Sequence, residues 1–243
     1  APIYPVFQYD QNWNPIEANN PSGLAYDFGQ PQEFPGGIVR GPRNYALGEH
    51  PLAVIENSDE TNERDNFNAA FRAKFDLPFD IKFEYVMNYL TQTDKNISFR
   101  KPGAGAFAQS QNGLLTNGIN TFSAFTNQQL LTWNKEFGRN SFDVIVGHET
   151  YQQKGSTLSL TKYNIVGTLS PILDNASKYI GSSNYNTQYN TEGYFSRINY
   201  NHNDRYFASF SFRRDGTSRF SQDARWGNFW SIGGSWRMSE EAF

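Results

Sequence analysis

The 243-residue chain contains no cysteine, which excludes disulfide bonds, thiolate metal sites and cysteine nucleophiles. It also lacks any apolar run of about 18 residues, so a helical membrane span is excluded. The formal net charge is −3 and the 21 Lys and Arg residues are scattered, whereas nucleic-acid-binding surfaces are usually basic and clustered. The sequence therefore predicts neither a helical membrane protein nor a nucleic-acid-binding protein.

Side chains suited to catalysis or metal binding are few and poorly spaced. The three histidines, His50, His148 and His202, have no ligand-like spacing and are interpreted as ordinary surface or lumen residues. An acidic cluster between Asp59 and Asp65 has the oxygen ligands that calcium prefers, but we favour a solvated loop. We predict no catalytic, metal or cofactor site and no enzymatic activity.

Aromatic residues are abundant although the chain as a whole is hydrophilic. It contains 21 Phe, 14 Tyr and 5 Trp, yet its mean hydropathy is −0.68. Successive residues of a strand point to opposite faces of a sheet, so this combination is typical of strands that are apolar on one face only.

Alternation with a period of two residues marks the predicted strands. It is clearest from Asn66 to Leu77, where Phe67, Phe71 and Phe75 alternate with polar side chains. The other face of these strands carries a polar row: Arg72, Lys74, Asp76, Lys82, Glu84, Asn88, Asp143, Glu149, Arg197, Asn199 and Arg213. Seven strands are predicted, at residues 66–77, 79–90, 121–133, 141–151, 193–200, 206–213 and 226–238.

The connections between these strands alternate in length. Short turns are predicted at Pro78, 134–140 and 201–205, and longer loops at 93–120, 152–191 and 213–225. This asymmetry is typical of outer-membrane barrels, whose short turns are periplasmic and whose long loops are extracellular. We therefore predict an all-β fold: an antiparallel transmembrane β-barrel segment with long extracellular loops, supplying about seven strands of a barrel of about 22.

Two regions follow from this pattern. Residues 1–64 hold eight of the eleven prolines and are predicted as an extracellular loop region, with a short helical turn at 46–57. Residues 65–243 are predicted as the partial barrel. We expect the chain to be an internal piece of a longer protein, because it begins without a signal peptide and ends without a closing strand.

The last fifth of the chain also resembles a known family. It reads GYFSRINY, a short turn, DRYFASFSFRRDGTSRF and then RWGNFWSIGGSWRMSEEAF. These segments resemble the barrel of SusC/RagA-type TonB-dependent transporters of the Gram-negative outer membrane. Shorter matches are PLAVIEN at 51–57, NERDNFN at 62–68, and LTWNKEFG and FDVIVGHE within 131–149. The most specific segment is RRDGTSRF followed closely by RWG.

The resemblance implies a function for the whole protein. Members of this family import oligomeric nutrients, either oligosaccharides or oligopeptides, together with a SusD-like surface lipoprotein. The TonB complex drives a plug domain inside the barrel, and the expected plug and TonB contacts lie outside this chain. Membrane lipid would contact the outward aromatic and aliphatic side chains of the strands. Two alternatives stay open: a passive outer-membrane porin, and a soluble or cell-surface carbohydrate-binding β-sandwich, whose apolar faces would pack together.

Aromatic side chains in the predicted loops are the candidate ligand contacts, because rings stack on sugars and pack on peptide side chains. Phe107 lies in the segment 103–108, which is predicted as a flexible loop tip with no helix after it. The charged side chains of RRDGTSRF have two interpretations, substrate contact or pairing with one another, and we favour pairing. The candidate substrate-binding residues are Trp13, Tyr26, Tyr45, Phe107 and Tyr185.

Overall fold

A computed structural model describes residues 5–18, 23–34, 38–42, 47–166 and 170–241. Within these residues the chain forms nine strands and two short α-helices. The helices are α1 (Pro51–Asn57) and α2 (Ala106–Ser110). The strands are β1 (Gln32–Phe34), β2 (Ile38–Arg40), β3 (Ser58–Leu77), β4 (Ile81–Arg100), β5 (Leu114–Phe137), β6 (Asn140–Ile165), β7 (Ala176–His202), β8 (Tyr206–Thr217) and β9 (Trp226–Trp236).

Strands β3 to β9 form one seven-stranded sheet whose order in space follows the order in sequence. Strand β8 pairs antiparallel with both neighbours, so that Phe210 lies opposite Ile198 of β7 and opposite Ile232 of β9. Such a meander satisfies the backbone donors and acceptors of each inner strand on both sides. Strands β1 and β2 form a separate two-stranded sheet. The predicted all-β fold with seven antiparallel strands is confirmed.

Three tight turns join successive strands of the sheet, as predicted. The turn between β3 and β4 is a single 3₁₀ turn, Pro78–Asp80. Gly138, with φ of 60°, lies between β5 and β6, and Asn203 and Asp204, with φ of 52° and 56°, follow β7. Glycine, asparagine and aspartate adopt this left-handed region more readily than other residues, which explains their use at these reversals.

Several strands are much longer than the alternation predicted. Strands β5, β6 and β7 contain 24, 26 and 27 residues, whereas about 9 to 11 residues cross a bilayer. The loops predicted at 93–120 and 152–191 are therefore mostly strand, and the connections shrink to residues 101–113 and 166–175. The prediction was wrong there because these extensions are rich in Gly, Asn, Gln, Ser and Thr and show no sustained alternation of apolar and polar residues. They keep their backbone pairing without a period-two signal.

The N-terminal region contains more regular structure than a loop. Strand β3 begins at Ser58, before the predicted start of the barrel part at residue 65. Helix α1, with Pro51 preorganised at its first position, matches the predicted helical turn. The prediction of a flexible loop tip at 103–108 with no helix after it was wrong: the 3₁₀ turn Pro102–Ala104 and helix α2 overlap this segment. Neither helix is long and apolar enough to cross a membrane, and the described residues contain no other that is.

The chain divides into two compact units. Unit 1 comprises Ala1–Arg64, Asp94–Asn120 and Thr157–Tyr185, and unit 2 comprises Asp65–Thr93, Thr121–Ser156 and Asn186–Phe243. All of the buried apolar side chains among the described residues lie in unit 1. One cluster contains Phe99, Leu115, Ile165 and Ala176, and the other contains Tyr26, Phe28 and Ala53. The sheet of unit 2 therefore has no buried apolar core among its described residues.

Candidate functional site: a sheet with two unlike faces

One face of the unit 2 sheet, here called the aromatic face, is covered with exposed apolar side chains. Across β8 and β9, Phe210 lies opposite Ile232 and Phe212 lies opposite Trp230. The exposed fractions of Ile232 and Trp230 are 77% and 71%. A continuous apolar surface of this kind promotes aggregation in water. The aromatic face is therefore suited to hydrocarbon rather than to solvent.

At the end with the tight turns, a row of contacting rings crosses five strands of this face. The ring of Phe142 lies 5.0 Å from that of Tyr200, and Tyr206 and Trp236 stack at 6.5 Å with their planes 8° apart. Tyrosine and tryptophan are enriched at membrane–water interfaces, where an apolar ring with a polar edge is favoured. The turn-end ring row consists of Trp133, Phe142, Tyr200, His202, Tyr206 and Trp236.

Glu241 holds one end of this ring row. Its carboxylate accepts hydrogen bonds from the Tyr206 hydroxyl at 2.7 Å and from the Trp236 indole N–H at 3.1 Å, and Arg205 pairs with it at 3.2 Å. The hydrogen bond from Tyr206, followed by that from Trp236, holds the pKa of Glu241 below its ordinary value. Sequence reasoning missed this residue, because Arg205 and Tyr206 precede it by 36 and 35 positions and reach it only in the folded sheet.

The opposite face, here called the polar face, carries the charged row that the alternation predicted. Arg72 and Lys74 of β3 both pair with Glu84 of β4, at 3.1 Å and 3.3 Å. Asn199 of β7 donates a hydrogen bond to Asp143 of β6 at 3.2 Å. Charged side chains that contact one another across neighbouring strands must share a face. The predicted parity of these strands is confirmed by these contacts.

The first arginine of RRDGTSRF lies on the polar face. Arg213 pairs with Asp215 at 2.7 Å and with Glu149 at 3.5 Å, and its guanidinium lies 5.5 Å from the Phe195 ring centroid. The same ring covers Gly147, where an added Cβ atom would lie 2.3 Å from the ring. Glycine is therefore required beneath Phe195, because any side chain there would displace the ring.

The second arginine of the motif lies on the aromatic face. The guanidinium of Arg214 is 5.1 Å from the centroid of the Trp226 ring, and that ring covers Gly216, where an added Cβ atom would approach it to 2.9 Å. Arg219 lies over Tyr189 at 4.6 Å. The predicted pairing within the motif is thus confirmed for Arg213 with Asp215. It is wrong for Arg214 and Arg219, which pack on aromatic rings.

His148 is satisfied by neighbours on the aromatic face. Its ring nitrogens lie 2.9 Å from a Glu192 carboxylate oxygen and 2.7 Å from the Gln129 side-chain oxygen, and its ring stacks on Tyr194 at 4.6 Å. Glu192 also accepts a hydrogen bond from the Tyr194 hydroxyl at 2.7 Å. These contacts give His148 a structural environment, with one carboxylate rather than a set of metal ligands.

The acidic cluster of the N-terminal region lies on β3 rather than in a loop. Asp59 pairs with Lys101 at 3.0 Å and Glu63 with Lys95 at 3.9 Å. Nowhere in the described parts of the chain do three metal-ligating side chains converge. The lysines neutralise negative charge that would otherwise attract a metal cation.

The predicted ligand-binding aromatics have unlike environments. Trp13, Phe107 and Tyr185 are exposed, by 81%, 61% and 55%. Tyr26 is instead a core residue: it is only 3% exposed and its hydroxyl donates a hydrogen bond to Glu56, so its ring is not accessible to a ligand. Tyr45 lies outside the described residues.

Two curated relatives show what the chain is similar to. The chain is 35% identical over 109 residues to the TonB-dependent receptor SusC of Bacteroides thetaiotaomicron, a match that covers 45% of this chain and 11% of SusC. It is 28% identical over 130 residues to the TonB-dependent receptor P39 of Formosa agariphila, covering 51% of this chain and 12% of P39. The chain thus spans about a tenth of the length of the curated relatives it matches. No family model matches it.

Solved structures match a larger part of the chain. The structure of the RagAB peptide transporter superposes with a TM-score of 0.70 at 16% identity, covering 77% of this chain and 22% of that chain. The RagAB peptide importer in the closed-closed state superposes with a TM-score of 0.68 at 15% identity, covering 87% of this chain and 23% of that chain. At this identity the likeness establishes the fold, which is a segment of a barrel wall.

The chain therefore has the architecture of part of a transmembrane β-barrel. In sequence it is similar to TonB-dependent receptors that include SusC, so the resemblance to SusC/RagA-type transporters is confirmed. TonB-dependent receptors are outer-membrane proteins, and the curated relatives are receptors rather than enzymes.

Proposed function

We propose that this chain forms part of the wall of a TonB-dependent outer-membrane transporter that imports oligomeric nutrients with the help of a SusD-like surface lipoprotein. The sequence similarity to SusC and the fold shared with RagAB support this assignment. The substrate class is an oligosaccharide or an oligopeptide. Energy would come from the TonB complex through parts of the protein outside this chain.

The observation that carries the proposal is the asymmetry of the unit 2 sheet. One face presents exposed rings such as Trp230, and the other presents ion pairs such as Arg213 with Glu149. A β-sandwich would bury its apolar faces against each other, whereas no buried apolar residue is described in unit 2. A barrel wall fits both faces, because hydrocarbon meets the apolar face and water or a plug meets the polar one.

The dimensions of the aromatic face support the same arrangement. Trp226 and Trp236 mark the two ends of β9, about 33 Å apart along the strand. At a tilt of about 40° this corresponds to about 25 Å along the membrane normal, the height of the apolar band of an outer-membrane barrel. We propose that the tight turns are periplasmic, that residues 1–64 are extracellular, and that residues 65–243 form the wall.

Exposed rings of unit 1 are the proposed ligand contacts. Trp13, Phe107 and Tyr185 each present more than half of their surface, which suits stacking on a sugar or packing on a peptide side chain. Replacement of each by alanine in the intact protein should weaken substrate binding while the barrel remains folded. Leu47, which is 56% exposed in the same unit, provides a non-aromatic control.

Cysteine labelling tests the orientation, because no residue of this chain reacts with a maleimide unless a cysteine is introduced. Ser221 lies in the connection between β8 and β9, Ser239 lies beyond the opposite end of β9, and both are exposed. In intact cells, a membrane-impermeant maleimide should label Ser221→Cys and not Ser239→Cys, and lysis should expose both. Equal labelling of the two variants in intact cells would contradict a membrane-spanning sheet.

Uptake measurements test the transport mechanism. Cells that carry the intact protein should accumulate a labelled oligosaccharide or oligopeptide mixture, and cells lacking it should not. Dissipating the proton-motive force should abolish uptake if transport depends on TonB. A passive porin would continue to admit the solute, so persistent uptake would favour that alternative.

A further inference from the structure

We propose that the aromatic face carries a binding site for the phosphate headgroup of an outer-leaflet lipid, formed by Arg214, Arg225 and the Trp226 ring. The inference rests on the membrane orientation given under the proposed function. It assigns a role to the RRDGTSRF and RWG segments, which the transport function leaves without one.

The site is a concavity of about 430 Å³ on the aromatic face of unit 2, lined by Arg225 and Trp226, and Arg214 packs on the Trp226 ring beside it. Its lining combines one apolar floor with several polar groups that are able to donate hydrogen bonds. The side chains that matter are Phe125, Thr150, Asn190, Ser218, Arg225 and Trp226. Arginine, hydroxyl and amide donors around an aromatic ring are a suitable set for a phosphate group attached to an apolar tail.

Two arginines, Arg225 in the lining and Arg214 on the Trp226 ring, stand against one lining carboxylate, Glu192, so the net charge at this concavity favours an anion. Neither Arg214 nor Arg225 makes an ion pair with any carboxylate in the described residues. Glu192 also lines the concavity, but its carboxylate is engaged by His148 and by the Tyr194 hydroxyl. Two guanidinium groups without a carboxylate partner are the residues best suited to bind phosphate.

The location of the concavity selects a lipid rather than a soluble anion. Trp226 is the first residue of β9 and lies on the same face as Trp230 and Ile232, which continue the apolar surface toward the tight turns. A lipid whose acyl chains lie on that surface would place its headgroup at Trp226. Gly216 contributes by leaving room for the ring, so Arg214, Gly216 and Trp226 form one unit of the motif.

Lipid titration of the intact barrel protein tests the site. The protein is purified in an uncharged detergent and titrated with phosphatidic acid or with phosphatidylcholine, and bound lipid is counted by native mass spectrometry. Wild type should prefer phosphatidic acid. Arg214→Gln or Arg225→Gln should weaken that binding about fivefold each, and the double variant roughly thirtyfold, since each arginine near an anionic surface contributes about that factor.

Matched variants separate charge from folding. Arg197→Gln, on the polar face of β7, should leave lipid binding unchanged, and Arg214→Lys with Arg225→Lys should retain most of it. Undiminished binding by the double glutamine variant would overturn the inference. So would equally tight, arginine-dependent binding of inorganic phosphate, which would identify the ligand as a free anion.

The inference and the proposed function fail in different ways. If Ser221→Cys and Ser239→Cys label as expected but wild type shows no preference for phosphatidic acid, the lipid site falls and the transporter assignment stands. If the labelling itself is reversed, the orientation is wrong and Trp226 does not face the outer leaflet, so both proposals fail.

Discussion

Placing an arginine on each face of the same sheet provides the sharpest test of the membrane assignment. Ile232 lies on the aromatic face near the middle of β9, between the terminal tryptophans of that strand, and is 77% exposed. Ser209 lies on the polar face of β8 opposite Gly233, and is also exposed. We expect Ile232→Arg to destabilise the intact protein strongly and Ser209→Arg to have little effect.

The expected magnitudes follow from the medium on each side. An arginine on the lipid-facing side of a barrel costs about 2 to 4 kcal/mol near the bilayer midplane. An exposed substitution in contact with water usually changes stability by less than about 0.5 kcal/mol. In a water-soluble sheet both positions would be solvent-exposed, and both substitutions would have the small effect expected of a residue in contact with water. The difference between the two variants therefore reports the medium at Ile232.

The assay is equilibrium unfolding of the intact barrel protein from lipid vesicles with guanidinium, followed by tryptophan fluorescence. Ile232→Ala serves as a control for loss of the isoleucine side chain alone. A free energy of unfolding for Ile232→Arg within about 0.5 kcal/mol of that for Ser209→Arg would refute the claim that the aromatic face contacts hydrocarbon. A large loss for Ser209→Arg alone would reverse the assignment of the two faces.

Two further predictions concern single contacts in unit 2. Gly147→Ala should destabilise the barrel by about 1 to 3 kcal/mol, because its Cβ would overlap the Phe195 ring. The control Gly181→Ala should be tolerated, because no atom lies within 4 Å of the added Cβ. The two variants are compared by their unfolding midpoints. The lowered pKa of Glu241, due first to the Tyr206 hydroxyl, means that its stabilising contribution is present above its unfolded pKa. That contribution is lost as the pH falls through the lower folded value, so Glu241→Gln should flatten the acid limb of a stability profile.

The sequence predicts those strands of this fold whose two faces meet different media. Between Phe67 and Leu77, ring and charge alternate because one side belongs to the exposed aromatic face and the other carries ion pairs. The polar extensions of β6 and β7 have no such contrast. Their strand conformation depends on backbone pairing with neighbouring strands, which no local pattern in one strand reveals.

Site residues were predictable only in part, for a related reason. The parity of Arg213 and Glu149 follows from the alternation, so their shared face could be derived from sequence. The burial of Tyr26 depends on Phe7 and on the helix carrying Ala53, and these partners come together only in the folded unit. Glu241 likewise acquires its role only when the strands bring its two donors to one point.

The RRDGTSRF segment shows why the register of this sheet is so tightly constrained. Adjacent arginines occupy opposite faces: Arg213 pairs with Glu149 and Asp215, and Arg214 packs on Trp226. A slip of β8 by one residue would exchange them, because side chains alternate with a period of two. Asp215 would then turn toward the aromatic face, while Arg213 would lose both carboxylates. This short motif therefore makes specific contacts on both faces of the sheet at the same point along β8. A motif with contacts on one face only would constrain the register of β8 less tightly.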